Sequence, residues 1–285
     1  MSYVSFLFCI FFAVILLLYY VLPRKTQWIL LLIGSLVFYA YASWLALPVL
    51  VLETLVIWAL ARKMERTEQK RKYVVGIVVL ALAILFLLLY LPSLVEIPML
   101  RSENAGIVSL LLAPLGISYY TLMIISYGVD VSRGDIPAEQ NFARLLLFAL
   151  YFPSITQGPM NRYGALSAQF RTEHAFDKDQ VWKGLIRFIY GAFKKLVVAN
   201  RVAAFIAAVN QNEKAAGVFV LMSLLLFMLQ LYSDFSGCAD MAIGMSMMLG
   251  IKVPENFRHP YRFRSISEYW RRWHLTLGAW MKDYI

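Results

Sequence analysis

Cysteine and histidine are scarce in this sequence, with two cysteines and three histidines among 285 residues. Cys9 and Cys238 lie far apart, each in apolar surroundings, which favours buried free thiols over a disulfide framework. No cluster of histidine, cysteine or carboxylate residues has metal-ligand spacing. We therefore predict no metal site.

Charged residues are also few, at 15% of the chain, whereas 61% of the residues are hydrophobic. The mean hydropathy of +0.65 is too high for a soluble domain, because one core could not bury so much apolar surface. The sequence therefore predicts a protein that lies in a lipid bilayer.

Uncharged runs of roughly 20 residues, the length that spans a bilayer, recur along the chain. They cover residues 1–22, 27–52, 73–95, 105–129, 145–161 and 215–233, with shorter or interrupted runs near residue 55 and between 181 and 209. The first run lacks a basic start and a cleavage site, so we expect a retained helix. We predict an all-α, multi-pass helical bundle of about eight membrane-embedded helices, some broken or re-entrant, forming a single domain over residues 1–285.

The net charge of +10 is concentrated in a few segments. The short basic linker at residues 62–72 is predicted to be cytoplasmic by the positive-inside rule, which places the N-terminus outside. Other basic residues belong to a C-terminal membrane helix and its adjoining loop. This arrangement favours membrane lipids and argues against nucleic acid as a partner.

Two segments interrupt apolar runs with proline and glycine. Pro114 and Gly116 lie inside one run, and Gln157, Gly158 and Pro159 end another. Irregular backbone within a membrane is tolerated where it lines a cavity, so an interior passage is one interpretation. A proline kink that serves helix packing is the other.

Ionisable residues within predicted spans are functional candidates, because burying a charge in a bilayer is costly. Glu53, Asp234 and Asp240 are such residues. For Asp234 and Asp240 we predict that they organise the site, with arginines further along the chain as their hydrogen-bond donors. The alternative is that these aspartates form purely structural pairs. For Glu53 we favour the alternative that it marks where two short segments meet.

The histidine of greatest interest is His274, in the sequence Trp270-Arg271-Arg272-Trp273-His274. Ser265 and Glu268 form a capping-box pattern that predicts a helix start. A helix from there places His274 on an aromatic face with Arg271 beside it and Arg272 opposite. The residues on that face are Trp270, Trp273, Leu277, Trp280 and Met281. Neutral imidazole suits general base catalysis near pH 7, although a structural histidine fits the same pattern.

Basic residues surround this histidine. Arg258, Arg262, Arg264 and Arg272 are candidates for binding the phosphates of a substrate such as coenzyme A, or for binding anionic lipid headgroups.

Several motifs occur in a fixed order: Asp234-Phe235-Ser236-Gly237, Pro254-Glu255-Asn256-Phe257 and the segment ending at His274. Together they resemble the bacterial branch of the membrane-bound O-acyltransferase family, near its alginate-acetylating members. The resemblance implies that His274 is one of two family histidines, which contributes to catalysis directly or by positioning a substrate, while the other histidine has the leading catalytic role in the family. We predict that Asn256, Arg271 and Trp273 help to organise the site. The family's second histidine lies in a later Trp-His-Gly segment, and this sequence ends at Ile285, so we expect the family's C-terminal part to be missing.

The resemblance also implies an activity. It predicts a cell-membrane enzyme without a bound cofactor that moves an acyl group, with acetyl expected, from a cytoplasmic thioester donor towards hydroxyls of an extracytoplasmic polysaccharide. A secreted or periplasmic transferase partner is implied as well. Transfer of D-alanine to teichoic acid, a transporter with broken helices and a non-catalytic scaffold remain alternatives.

Overall fold

The computed structural model describes residues 2–95, 115–212 and 216–285, and these are helical with no strand among them. The predicted all-α fold class is confirmed. The helices are α1 (Phe6–Val21), α2 (Gln27–Ser43), α3 (Leu47–Glu65), α4 (Lys70–Val95), α5 (Ile117–Arg133), α6 (Phe142–Leu150), α7 (Tyr163–Arg171), α8 (Lys178–Phe193), α9 (Asn200–Gln211), α10 (Gly217–Met248), α11 (Ile266–Trp270) and α12 (Leu275–Tyr284).

Three described segments are long and apolar enough to cross a membrane: Arg24–Ser43, Lys70–Leu89 and Gly217–Met248. The 16-residue α1 is apolar but shorter. Large apolar side chains of α10 are exposed, among them Leu221 at 64% and Leu225 at 70%. Such a surface is typical of contact with lipid or with other apolar protein segments, which agrees with a protein of the membrane.

Two predicted runs are divided in the structure. The run at residues 27–52 contains α2 and only the start of α3. Pro48 lies in the first turn of α3, a position that suits proline. The run at residues 145–161 contains the end of α6, and non-helical turns follow through residue 162. These turns confirm the predicted broken element. Pro114 lies outside the described residues.

An aromatic core joins the first two helices to the turns after α6. Phe8 and Phe38 are fully buried and pack edge to face, and Phe152 contacts Phe38. The Tyr3 hydroxyl donates a hydrogen bond to the carbonyl oxygen of Phe152 at 3.0 Å. The N-terminus is thereby fixed against the broken segment.

Helices α8 and α10 pack through two glycine pairs. A Cβ on Gly184 would lie 2.7 Å from the carbonyl oxygen of Gly244, and a Cβ on Gly191 would lie 2.5 Å from that of Gly237. Both distances are below any real carbon contact, so the backbones touch only because these four positions lack side chains.

A π-helical turn, Lys194–Ala199, follows α8 directly. π-helical turns are rare and often occur at functional sites. Here the turn carries two consecutive lysines, Lys194 and Lys195, to two different aspartates of α10.

Candidate functional site

His274 lies at a sharp break between two helices. α11 ends at Trp270, α12 begins at Leu275, and His274 has left-handed backbone angles of φ 45° and ψ 55°. The predicted continuous helix through His274 is therefore wrong. This conformation costs about 1–2 kcal/mol for a residue with a Cβ, so neighbouring contacts must hold it.

The predicted helix start is confirmed, but the single aromatic face is not. The Ser265 hydroxyl accepts a hydrogen bond from the Glu268 N–H at 3.2 Å. The Glu268 carboxylate accepts from the N–H of Arg264, one residue earlier than the capping-box pattern implies. Trp270 is 61% exposed whereas Trp273 is buried, because the break turns the two helices apart.

Backbone hydrogen bonds hold the break on both sides. The Leu275 N–H donates to the carbonyl oxygen of Asn256 at 2.9 Å, and the Arg258 N–H donates to that of Arg272 at 3.0 Å. The segment around Asn256 therefore runs beside the break and replaces the helical hydrogen bonds that the break removes.

Thr276 links this arrangement to the broken segment after α6. Its hydroxyl donates to Asn256 Oδ1 at 2.6 Å and accepts from the Met160 N–H at 3.0 Å. All three groups are buried. Sequence reasoning selected Asn256 but missed Thr276. The signal for Thr276 is a hydroxyl two residues after the histidine, among the apolar residues that begin the helix.

The His274 side chain faces a cavity of 480 Å³, called here the histidine cavity, which is lined by Gly116, Tyr119, Thr156, Gln157, Phe235 and His274 among others. Phe235 packs edge to face on the imidazole with ring centres 4.7 Å apart. Burial lowers the pKa of His274 to about 4. The imidazole is therefore neutral at pH 7 and able to accept a proton.

A second cavity of 510 Å³ adjoins the first. This N-terminal cavity is lined by Tyr3, Gly116, Thr156, Gln157, Lys195 and Cys238 among others. Gly116, Thr156 and Gln157 line both cavities and form the boundary between them. Gly116 has a left-handed φ of 68°, and a Cβ there would lie 1.9 Å from the carbonyl oxygen of Ile155, so only glycine fits.

Asp234 and Asp240 are paired with cations from the preceding helices. Lys195 contacts Asp234, whereas Lys194 and Arg187 contact Asp240 at 2.7 and 3.0 Å. The expectation that downstream arginines supply these donors is wrong, because the close packing of α8 on α10 brings the upstream residues nearer.

The structure brings together only part of the predicted cluster of arginines. Arg258 lines a third cavity, which also contains Asp240 and Asn256. Arg272 pairs with Glu268, and Arg271 is exposed and donates to the Ser267 hydroxyl at 3.1 Å. Arg262 and Arg264 are exposed. The expected placement of Arg271 in a polar pocket with His274 is therefore wrong.

Trp273 anchors the site through aromatic packing. It stacks on Tyr269 at 5.6 Å and meets Phe257 edge to face at 5.0 Å. It also contacts Phe235, the residue that packs on His274. Trp273 thus supports the histidine through shared neighbours.

Glu53 lies apart from these cavities. It is 2% exposed, and neither carboxylate oxygen has a hydrogen-bond partner among the described residues. The structure gives it no contact with His274. Within the same residues no group of three histidine, cysteine or carboxylate side chains has the geometry to hold a metal ion.

Comparison with known proteins identifies the family of this chain. The profile of the membrane-bound O-acyltransferase family matches residues 31–285. The chain belongs to the membrane-bound O-acyltransferase family. Within it, the chain is 36% identical to the probable alginate O-acetylase AlgI of Pseudomonas aeruginosa, over 97% of this chain and 54% of the relative.

More distant members of the O-acyltransferase family also match. A peptidoglycan O-acetyltransferase of Helicobacter pylori is 29% identical over 90% of this chain and 54% of its own length. A teichoic acid D-alanyltransferase of Bacillus subtilis is 29% identical over 61% of this chain and 45% of its own length. The chain thus spans about half the length of the curated relatives it matches.

Proposed function

We propose that the protein transfers an acyl group, with acetyl as the first candidate, from a cytoplasmic thioester donor towards hydroxyls of an extracytoplasmic cell-surface polysaccharide. The observation that carries this proposal is the position of His274, whose imidazole faces a cavity that adjoins a second one. Two adjoining cavities give a donor and an acceptor separate approaches to one reacting point. The thioester is a substrate, and no bound cofactor is invoked.

In the proposed reaction His274 acts as a catalytic base. Its neutral imidazole takes the proton from the acceptor hydroxyl as the oxygen attacks the thioester carbonyl carbon. The new ester C–O bond forms, the C–S bond breaks, and the leaving thiolate takes the proton from the His274 imidazolium, which returns the imidazole to its neutral form. The largely apolar walls around His274 limit access of water, which would otherwise consume the donor.

Positioning residues support this base. Asn256 and Trp273 hold the backbone and the aromatic neighbours of His274, whereas Asp234 and Asp240 fix α8 against α10. We assign Arg258, Arg262, Arg264 and Arg272 to the binding of phosphates near the site, and Arg271 to its exposed rim.

The proposal also includes an orientation of the protein in the membrane and a partner protein. The N-terminus lies outside, and a secreted or periplasmic transferase partner delivers the acyl group to the polymer. D-alanyl transfer to teichoic acid is the second candidate, favoured by the Bacillus subtilis relative, although that match covers only 61% of this chain.

The test compares two histidine variants of the natural full-length protein in its own cells. His274→Asn keeps a residue that tolerates left-handed backbone but removes the base. We expect polymer-bound acetyl to fall at least about 100-fold, the contribution typical of a general base. His174→Asn is the matched control, because His174 contacts the Gln169 carbonyl away from both cavities.

The assay measures ester-linked acetyl and ester-linked D-alanine on cell-surface polymer, normalised to the amount of membrane protein. Loss of acetyl in His274→Asn alone supports the proposal. Loss of D-alanine instead supports the second candidate. Unchanged esters of both kinds at normal protein levels would contradict any role of His274 in transfer.

A further inference from the structure

A third cavity lies between α8, α10 and the segment that follows α10. This charged cavity has a volume of 320 Å³ and is lined by Arg187, Lys194, Ser236, Asp240, Asn256 and Arg258 among others. It shares none of its lining residues with the histidine cavity or the N-terminal cavity. Its chemistry therefore needs a separate explanation.

The acidic groups of the charged cavity already form ion pairs with basic side chains. Arg187 donates to Glu255 Oε1 at 2.6 Å and to Asp240 Oδ1 at 3.0 Å, and Lys194 donates to Asp240 Oδ2 at 2.7 Å. Two carboxylates thus balance two cations. A positively charged ligand would find no free partner among these groups.

Two polar side chains in the charged cavity have no partner in the described part of the chain. Ser236 is 2% exposed and Asn256 is 1% exposed, and both Ser236 Oγ and Asn256 Nδ2 lack a hydrogen bond there. An unpaired buried polar group costs about 1–3 kcal/mol. Two such groups in one cavity indicate that a ligand or water supplies their missing hydrogen bonds.

The orientation of the Asn256 amide follows from its neighbours. Thr276 accepts a hydrogen bond from the Met160 N–H, and its own hydroxyl proton goes to Asn256 Oδ1. The opposite orientation would leave that proton without an acceptor. Asn256 therefore presents its NH₂ group, a donor, as the unpaired group.

Arg258 adds a free positive charge to this set. Its guanidinium forms no salt bridge with any described residue, although it lines the charged cavity. Arginine and an asparagine NH₂ group only donate, and a serine hydroxyl can donate as well. The unpaired groups thus favour a ligand that is anionic and rich in acceptors.

We propose that the charged cavity binds a phosphoryl group. Phosphoryl oxygens accept several hydrogen bonds and pair with arginine in a forked geometry. With Arg187 and Lys194 neutralised by Asp240 and Glu255, the remaining charge of Arg258 matches the single negative charge of a phosphodiester.

The position of the cavity favours a membrane phospholipid as the source of that group. Tyr190 lines the cavity and is 56% exposed, and Ile186 and Ile189 on the same helix are 52% and 57% exposed. Exposed apolar side chains beside the opening are suited to acyl chains. The ammonium group of Lys194 lies 4.6 Å from the Tyr190 ring centre, at the meeting of charged and apolar surfaces.

The experiment measures ligand retention by the natural full-length protein purified in an uncharged detergent. Phosphatidylglycerol is titrated and its retention is followed by native mass spectrometry, with diacylglycerol of the same chains as the phosphate-free comparison. Arg258→Gln is compared with Lys252→Gln, which also removes one positive charge from the segment after α10 but lies outside the cavity. We expect about tenfold weaker binding for Arg258→Gln, which corresponds to about 1.4 kcal/mol, and less than about twofold change for Lys252→Gln.

Ser236→Ala provides a second, independent measurement. Without ligand, this variant should melt at the same temperature as the wild type or higher, because it removes an unpaired buried hydroxyl. With phosphatidylglycerol it should bind several-fold more weakly. A purely structural role of Ser236 would lower the melting temperature and leave lipid binding unchanged.

A parallel titration with coenzyme A distinguishes the sources of the phosphoryl group. Stabilisation by coenzyme A that Arg258→Gln abolishes would assign the cavity to a soluble phosphate-bearing molecule. Retention of phosphatidylglycerol, but not diacylglycerol, that Arg258→Gln abolishes would assign it to lipid. Equal behaviour of Arg258→Gln and Lys252→Gln in both titrations would overturn the proposal and leave water as the occupant.

Discussion

The protonation of a single residue, His274, should be visible in the pH dependence of stability. Burial lowers the pKa of His274 in the folded protein to about 4, against 6.5 for a free histidine. Between these values the unfolded chain binds more protons, so the contribution of His274 to stability rises with pH from about 4 to 6.5 and is constant above.

We predict that the melting temperatures of wild type and His274→Asn, measured from pH 4 to 8, differ by an amount that changes only within that window. Other titrating groups are common to both proteins and cancel in the difference. A difference that changes above pH 7 instead would show that the His274 pKa is not lowered. The same pKa predicts that wild-type acyl transfer loses its base near pH 4 and not near 6.5.

The second residue-scale prediction concerns Thr276. Thr276→Val keeps the shape of the side chain but leaves the Met160 N–H and Asn256 Oδ1 without their partner. We expect a loss of about 1–3 kcal/mol in the free energy of unfolding. We also expect a clear fall in polymer acetylation, since the break at His274 depends on this link. Thr276→Ser retains the hydroxyl and should behave like the wild type in both assays.

At the scale of helices, the contact of α8 with α10 depends on glycine. A Cβ on Gly184 would lie 2.7 and 2.9 Å from two backbone atoms of α10. One of the two helices would have to move to relieve these contacts. We predict that Gly184→Ala costs about 1–3 kcal/mol, as overpacking does. Gly76→Ala in α4 is the control, because nothing lies within 4 Å of its Cβ position. Thermal denaturation in detergent compares the two, and equal melting temperatures would contradict the glycine contact.

The sequence predicted the helices whose length is set by the bilayer. α1, α2, α4 and α10 each fall within or overlap a long uncharged run, since spanning a membrane requires such a run. The broken element after α6 also followed from Gly158 and Pro159. The break at His274 could not be predicted, because it is held by Asn256 and Thr276 and no glycine or proline marks it.

The sequence predicted which residues form the candidate site better than it predicted the side chains that pair with them. His274, Asn256 and Trp273 do lie close together, as their motifs implied. The donors to Asp234 and Asp240 came from the π-helical turn and α8, which no sequence motif had indicated. Such pairs depend on how helices distant in sequence pack, and a local pattern does not contain that information.

At the scale of the whole molecule, the boundary between the two adjoining cavities should control transfer. Gln157 lines both cavities and its side chain is exposed to them. We predict that Gln157→Trp reduces polymer acetylation at least about tenfold while the protein remains folded, because the larger ring separates donor from acceptor. Gln211→Trp, at the exposed end of α9, is the matched control. Full acetylation by Gln157→Trp would exclude a route through this boundary.

The spacing of the glycine pairs restricts how the molecule can move. Gly184 and Gly191 are seven residues apart, as are their partners Gly237 and Gly244, so a slide of one helical turn would press side chains into backbone. The next alignment with facing glycines lies about 10 Å away. The contacts therefore oppose sliding of α8 along α10, and we expect any opening or closing near the site to move the two helices together as one rigid unit.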